Sequence, residues 1–98
     1  MNIYEIMEPE AGEESFVTLH QSSTLKIDAI RSRLTVAGEN YDQEEDEWVI
    51  LVRGSAMIEI EGNHHCLKEG DSLFLERHTR HQVLSTSDDA LWIGVFSF

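Results

Sequence analysis

Turn signals recur along this chain at short intervals, and that spacing constrains the fold more than any other feature. They are "AGEN" at 37–40, Gly54, "EGNH" at 61–64, "KEGD" at 68–71 and "STSDD" at 85–89. Gly, Asn, Asp and Ser favour turns, each for its own stereochemical reason. Short β-type segments between such turns predict an all-β sandwich or barrel.

The segments agree with that reading. "LKIDAIRSRLTV" sets Leu25, Ile27 and Ala29 against Lys26 and Asp28, with Ile30 blurring the pattern. "SAMIEIE" puts Ala56, Ile58 and Ile60 on one face and Met57, Glu59 and Glu61 on the other. Gly62-Asn63 then reads as a two-residue hairpin turn, with glycine free to take positive φ. "SLFLE" alternates, and "EWVILV" is apolar without a break after Glu47. "ALWIGVFSF" is apolar on both faces, with Trp92, Phe96 and Phe98 opposite Ile93 and Val95. A strand sends alternate side chains to opposite faces, so this last strand needs two covers. A second sheet supplies one. A second copy of the chain supplies the other, which predicts a homodimer with sheet edges left to pair. One short helical piece is expected near "EESFVTLHQS". Residues 1–14 are polar and acidic and hold the only proline, Pro9. They read as an irregular arm with a short edge strand at "IYEI", which leaves 15–98 as the domain.

A chain of 98 residues makes one domain. Its net charge of −12 repels phosphate backbones and anionic lipids, so neither nucleic acid nor a membrane is an expected partner. No apolar run approaches the ~20 residues of a membrane helix. The segment "MNIYEIMEPEAGEESF" lacks the apolar core of a signal peptide. Cys66 is the single cysteine, so no intramolecular disulfide forms, and it is expected as a small buried apolar residue. These features predict a cytoplasmic protein.

Two stretches carry the chemistry: "YDQEEDEWVILVRG" at 41–54 and "GDSLFLERHTRHQV" at 70–83. The second resembles the second motif of the cupin superfamily, G-x5-P-x-G-x2-H-x3-N, with Gly70 at its start and His81 at its histidine. The first resembles the latter half of G-x5-H-x-H-x3,4-E-x6-G, with Glu47 followed by six residues and Gly54. The resemblance covers roughly residues 25–98. It implies a double-stranded β-helix, a jelly-roll barrel of antiparallel strands, and a divalent metal ion inside it. Zinc, manganese, nickel and iron are all compatible. In cupins two histidines, the glutamate and the second-motif histidine hold that ion. Here the histidine positions fall on Tyr41 and Gln43, or on Asn40 and Asp42, according to the spacing taken. The second motif departs too, with Glu76, His78 and Ser85 at its proline, glycine and asparagine.

Strand period favours Tyr41 and Gln43 as inward, on the side opposite Asp42. The expected metal set is therefore Gln43, Glu47, His81 and Tyr41. Glu44, Glu45 and Asp46 are expected in a solvated loop. The alternative is a pocket lined by the same four residues, with a buried carboxylate–imidazole pair and no ion. His78 either joins the site through a turn or sits on the surface. Arg80, with Arg77, either receives an anionic ligand at the pocket mouth or offsets local acid. "HHC" at 64–66 does not read as a metal cluster, because neighbours on a strand point apart. Two functions follow from the resemblance. One is a metal-dependent cupin acting on a small polar molecule, the ion serving as Lewis acid. The other is a metal-free module that binds a small molecule without turnover. A structural partner protein docking through its acidic surface ranks last, since it leaves the pocket unexplained.

Overall fold

A computed structural model describes all 98 residues. A single 3-10 turn, η1 (Ile3–Glu5), precedes nine strands: β1 (Glu14–Gln21), β2 (Leu25–Ser32), β3 (Asn40–Tyr41), β4 (Asp46–Arg53), β5 (Ser55–Ile60), β6 (Asn63–Lys68), β7 (Ser72–Leu75), β8 (His81–Thr86) and β9 (Ala90–Ser97). They form two antiparallel sheets, ordered β1-β2-β9-β4-β7 and β3-β8-β5-β6. This is the all-β double sheet expected from the turn spacing, and the jelly roll that the cupin resemblance implies.

The core lies between the sheets. From one side come Val49 and Leu51 of β4 and Trp92 of β9, and from the other Ala56 and Ile58 of β5 and Leu67 of β6. Alternation explains the choice: Glu47, Val49 and Leu51 are buried, whereas Trp48 between them is exposed. The strand "ALWIGVFSF" becomes β9, flanked by β2 and β4 in the larger sheet. Trp92 faces the other sheet and is buried, while Ile93 and Val95 face outward and stay half-buried.

Four local expectations need correction. "EESFVTLHQS" is not helical: Glu14–Gln21 is β1, paired with β2 along its length and bulged at Leu19. Pairing with β2 overrides whatever helical preference the segment has. "IYEI" is no edge strand but the 3-10 turn, capped by the Asn2 side chain, which accepts from the Tyr4 N–H at 2.9 Å. The β5–β6 turn is centred on Glu61-Gly62, one residue earlier than expected, and Asn63 already pairs with Ile60. Both turn residues have positive φ, 49° and 83°, the twist a two-residue hairpin needs. Cys66 is exposed on β6, its thiol 3.6 Å from the Met57 sulfur, not buried.

The phase of β2 is also reversed. Lys26, Asp28 and Ile30 face the barrel interior. Ala29 and Arg31 are buried on the outer side. There the N-terminal segment crosses the sheet. Arg31 donates to the Tyr4 carbonyl at 3.2 Å and meets Glu8 at 3.6 Å, and Arg53 stacks on the Tyr4 ring at 4.4 Å. No helix is long and apolar enough to cross a membrane.

Candidate functional site

Between the sheets lies a cavity of about 240 Å³. Tyr41, Gln43, Glu47 and His81 all line it, from β3, the following loop, β4 and β8. Tyr41 and His81 are cross-strand partners, and their rings stack with centroids 5.5 Å apart. Val49, Ile58, Leu75 and Trp92 make an apolar floor around these polar groups.

Glu47 and His81 are each only 6% exposed, so their charges are nearly cut off from water. Nδ1 of His81 lies 2.9 Å from the Thr79 carbonyl, which can only accept, so Nδ1 carries the proton. Nε2 points at Glu47 Oε1 across 3.8 Å, the placement of an ion pair whenever that nitrogen also carries a proton. Gln43 donates its amide N–H to the same Oε1 at 3.0 Å. Turning the amide round would set oxygen against oxygen, so an ionised Glu47 fixes its orientation. Burial raises the Glu47 carboxyl above its ordinary value. The Gln43 hydrogen bond and His81 pull it back, and Glu45 and Asp28 push it further up. Burial, with help from Glu14, Glu39 and Glu47, pushes the Tyr41 phenol up to about 12, so it stays protonated at neutral pH.

Room for the carboxylate comes from β9. Gly94 faces it, and a Cβ there would stand 3.3 Å from Glu47 Oε2 and 3.1 Å from the Phe96 ring.

His78 stands apart from this cluster. It has φ 61° and places Nδ1 3.0 Å from Asp42 on the exposed surface. Arg77 holds Asp46 there, donating its backbone N–H at 2.8 Å, and lowers that carboxyl. Arg80 lines a second concavity with Glu59 and Glu61, which meets the first at His81. Sequence reasoning missed the cavity's other polar wall: Glu14 and Thr18 of β1, and Lys26 and Asp28 of β2. Asp28 is 3% exposed and takes the Thr18 hydroxyl at 2.9 Å and the Lys26 ammonium at 3.3 Å. The signal lies in the pattern Lys26, Asp28, Ile30. Ile30 in phase with the two charges marks that face as inward.

The donor set is half of what four cupin ligands would supply. One carboxylate and one imidazole are ligand-grade, and the amide offers its N–H to the carboxylate. No three His, Cys, Asp or Glu side chains converge where an ion could sit. The residues present do not make a tight metal centre.

A family profile for the cupin domain matches residues 34–96. A structure from Ralstonia eutropha JMP134, provisionally named a mannose-6-phosphate isomerase, is 33% identical, with TM-score 0.85 over 99% of this chain and 95% of that one. KdgF from a Halomonas species superposes with TM-score 0.83 at 21% identity, over 99% of this chain and 89% of its own. A cupin 2 conserved barrel protein from Salinispora arenicola CNS-205 gives 0.75 at 18%, over 94% and 82%. No curated protein matches the chain. The matched profile and the Ralstonia relative together establish that the chain belongs to the cupin-domain family.

Proposed function

We propose that this cupin binds a small molecule inside the barrel, seating its polar end on Glu47, His81 and Gln43, and holds no metal ion tightly. One observation carries the reading: Gln43 turns its amide N–H, not its oxygen, to Glu47 Oε1 at 3.0 Å, so it stands as a donor to the carboxylate and not as a third ligand beside it. A small cavity with apolar walls and a few convergent polar groups is the usual form of a ligand site.

A resident divalent ion is the competing reading, and His81 favours it. Metal-bound histidines commonly donate the second ring nitrogen to a carbonyl, as His81 does to Thr79. Metal content decides. After incubation with zinc, manganese, nickel or iron and desalting, the protein is expected to retain well under one ion per chain. A stoichiometric ion that Glu47→Gln and His81→Ala both lose would overturn the metal-free reading.

Two further inferences go with the function. The outer face of the larger sheet supports a homodimer: Phe74, Trp48, Val95 and Ile27 form one row across four neighbouring strands. Trp48 is 40% and Phe74 65% exposed, so the row presents apolar surface that a second copy would cover. The unpaired thiol of Cys66 is compatible with a reducing, cytoplasmic location.

A further inference from the structure

We propose that the cavity selects a small organic cation, an ammonium or amidinium on a compact apolar or aromatic body. The inference rests on the reading that the cavity is a small-molecule site. Most of its own hydrogen-bond donor groups are already engaged. Lys26 and Thr18 serve Asp28, and Gln43 serves Glu47. The Trp92 indole N–H goes to Ser32 Oγ at 3.2 Å, and the Ser32 hydroxyl goes to Glu14 Oε2 at 2.7 Å. The Tyr41 hydroxyl and the second amide N–H of Gln43 are the neutral donors left.

What stays open on the acidic groups is acceptor. Oε2 of Glu47 and Oε1 of Glu14 carry no hydrogen bond, and the Glu47 side chain is more than nine-tenths buried. The lining holds three carboxylates against one ammonium. An unmade hydrogen bond at a buried group is costly, so the occupant that fits must bring donors. An occupant that also brings positive charge gains from the local field.

The walls suit such a molecule. Aromatic faces attract cations within about 6 Å of the ring centroid, and Lys26 already sits 5.5 Å from that of Phe96. Phe16, Tyr41 and Trp92 complete an aromatic lining for the body of the ligand. A phosphorylated sugar, the substrate type in the Ralstonia protein's name, meets the opposite surroundings. The cavity's single cation is paired with Asp28, and Arg77 and Arg80 lie outside it.

Amide NMR titration of the 15N-labelled full chain tests the idea. The probes are phenethylamine and benzamidine, the neutral phenethyl alcohol, the anionic phenylacetate, and mannose 6-phosphate. The two cations are expected to shift amides around Glu47 and His81 and to bind at least about tenfold more tightly than the alcohol. The anions are expected to leave those amides unmoved. Glu47→Gln should weaken phenethylamine about tenfold and the alcohol several-fold less than that. Glu14→Gln, at the cavity's rim, should weaken the amine less and serves if the first variant does not fold. Alcohol or anion binding in the cavity as tightly as the amine would refute cation selection and leave the cavity a ligand site. Amine binding that both folded variants leave unaltered would refute it too. Silence of every probe would remove both the selection and the small-molecule reading.

Discussion

At the scale of the residue, Glu47 carries the most testable physics. Its folded-state carboxyl titrates above its unfolded value because it is buried. The folded protein therefore binds that proton more tightly than the unfolded chain does. Glu47 contributes stability that is fully present below its unfolded pKa and is lost as pH rises through the folded one. Glu14, raised by its own burial, acts in the same direction. Asp46 is lowered, so its small surface contribution fades instead as pH falls below the usual carboxylate range. Melting temperatures of wild type and Glu47→Gln, measured from pH 8 down to pH 5, should converge. The variant is expected to be the more stable at the alkaline end. A difference independent of pH would show that Glu47 ionises as freely folded as unfolded. The sequence made this residue legible because its spacing to Gly54 and the strand period both place it inside. The role of Gln43 was less legible, since an amide can turn either its oxygen or its N–H to a neighbour. Only the position of the Glu47 carboxylate decides which.

At the scale of the element, Gly54 fixes the junction between β4 and β5. Its φ is +89°, and an added Cβ would collide with Ser87 Oγ and stand 3.0 Å from the Ala90 Cα. Backbone cannot retreat as a side-chain tip can. Gly54→Ala is expected to cost about 2 to 4 kcal/mol in chemical denaturation, with the m-value unchanged. A loss under about 0.5 kcal/mol would mean the Ser87–Ala90 turn yields freely. Strands with clear alternation and a glycine turn, such as β5 and β7, could be read from the sequence. β1 and β2 could not be read as well. β1 is an edge strand with only half its groups in a ladder, and its apolar residues are sparse. β2 is buried on both sides, with Asp28 inward and Ala29 and Arg31 under the N-terminal segment. A strand buried twice loses the polar–apolar contrast that reveals phase. That loss hid one wall of the cavity.

At the scale of the whole molecule, the outer sheet face decides the state of assembly. The expected species at micromolar concentration is a dimer by light scattering. Trp48→Glu would place a charge in the centre of the row Phe74, Trp48, Val95 and Ile27 and should yield a monomer that keeps its far-UV spectrum. A dimer that survives this change, or a monomeric wild type, would rule out that face as the interface. The charge of −12 adds a condition, because two such chains repel and added salt should tighten their association. The double-sheet fold was legible from turn spacing alone. The covering of the outer face was legible only as a need, since periodicity shows that a surface is apolar but not what lies against it.

Gly94 gives the site a narrow evolutionary hinge. The buried carboxylate stands where it does because the strand beside it has no side chain at this position, and the nearest atoms leave less than a methyl's comfortable room. One base change toward alanine would crowd Glu47 without substituting any residue that binds. The placement of the carboxylate thus depends on a position that carries no chemistry of its own.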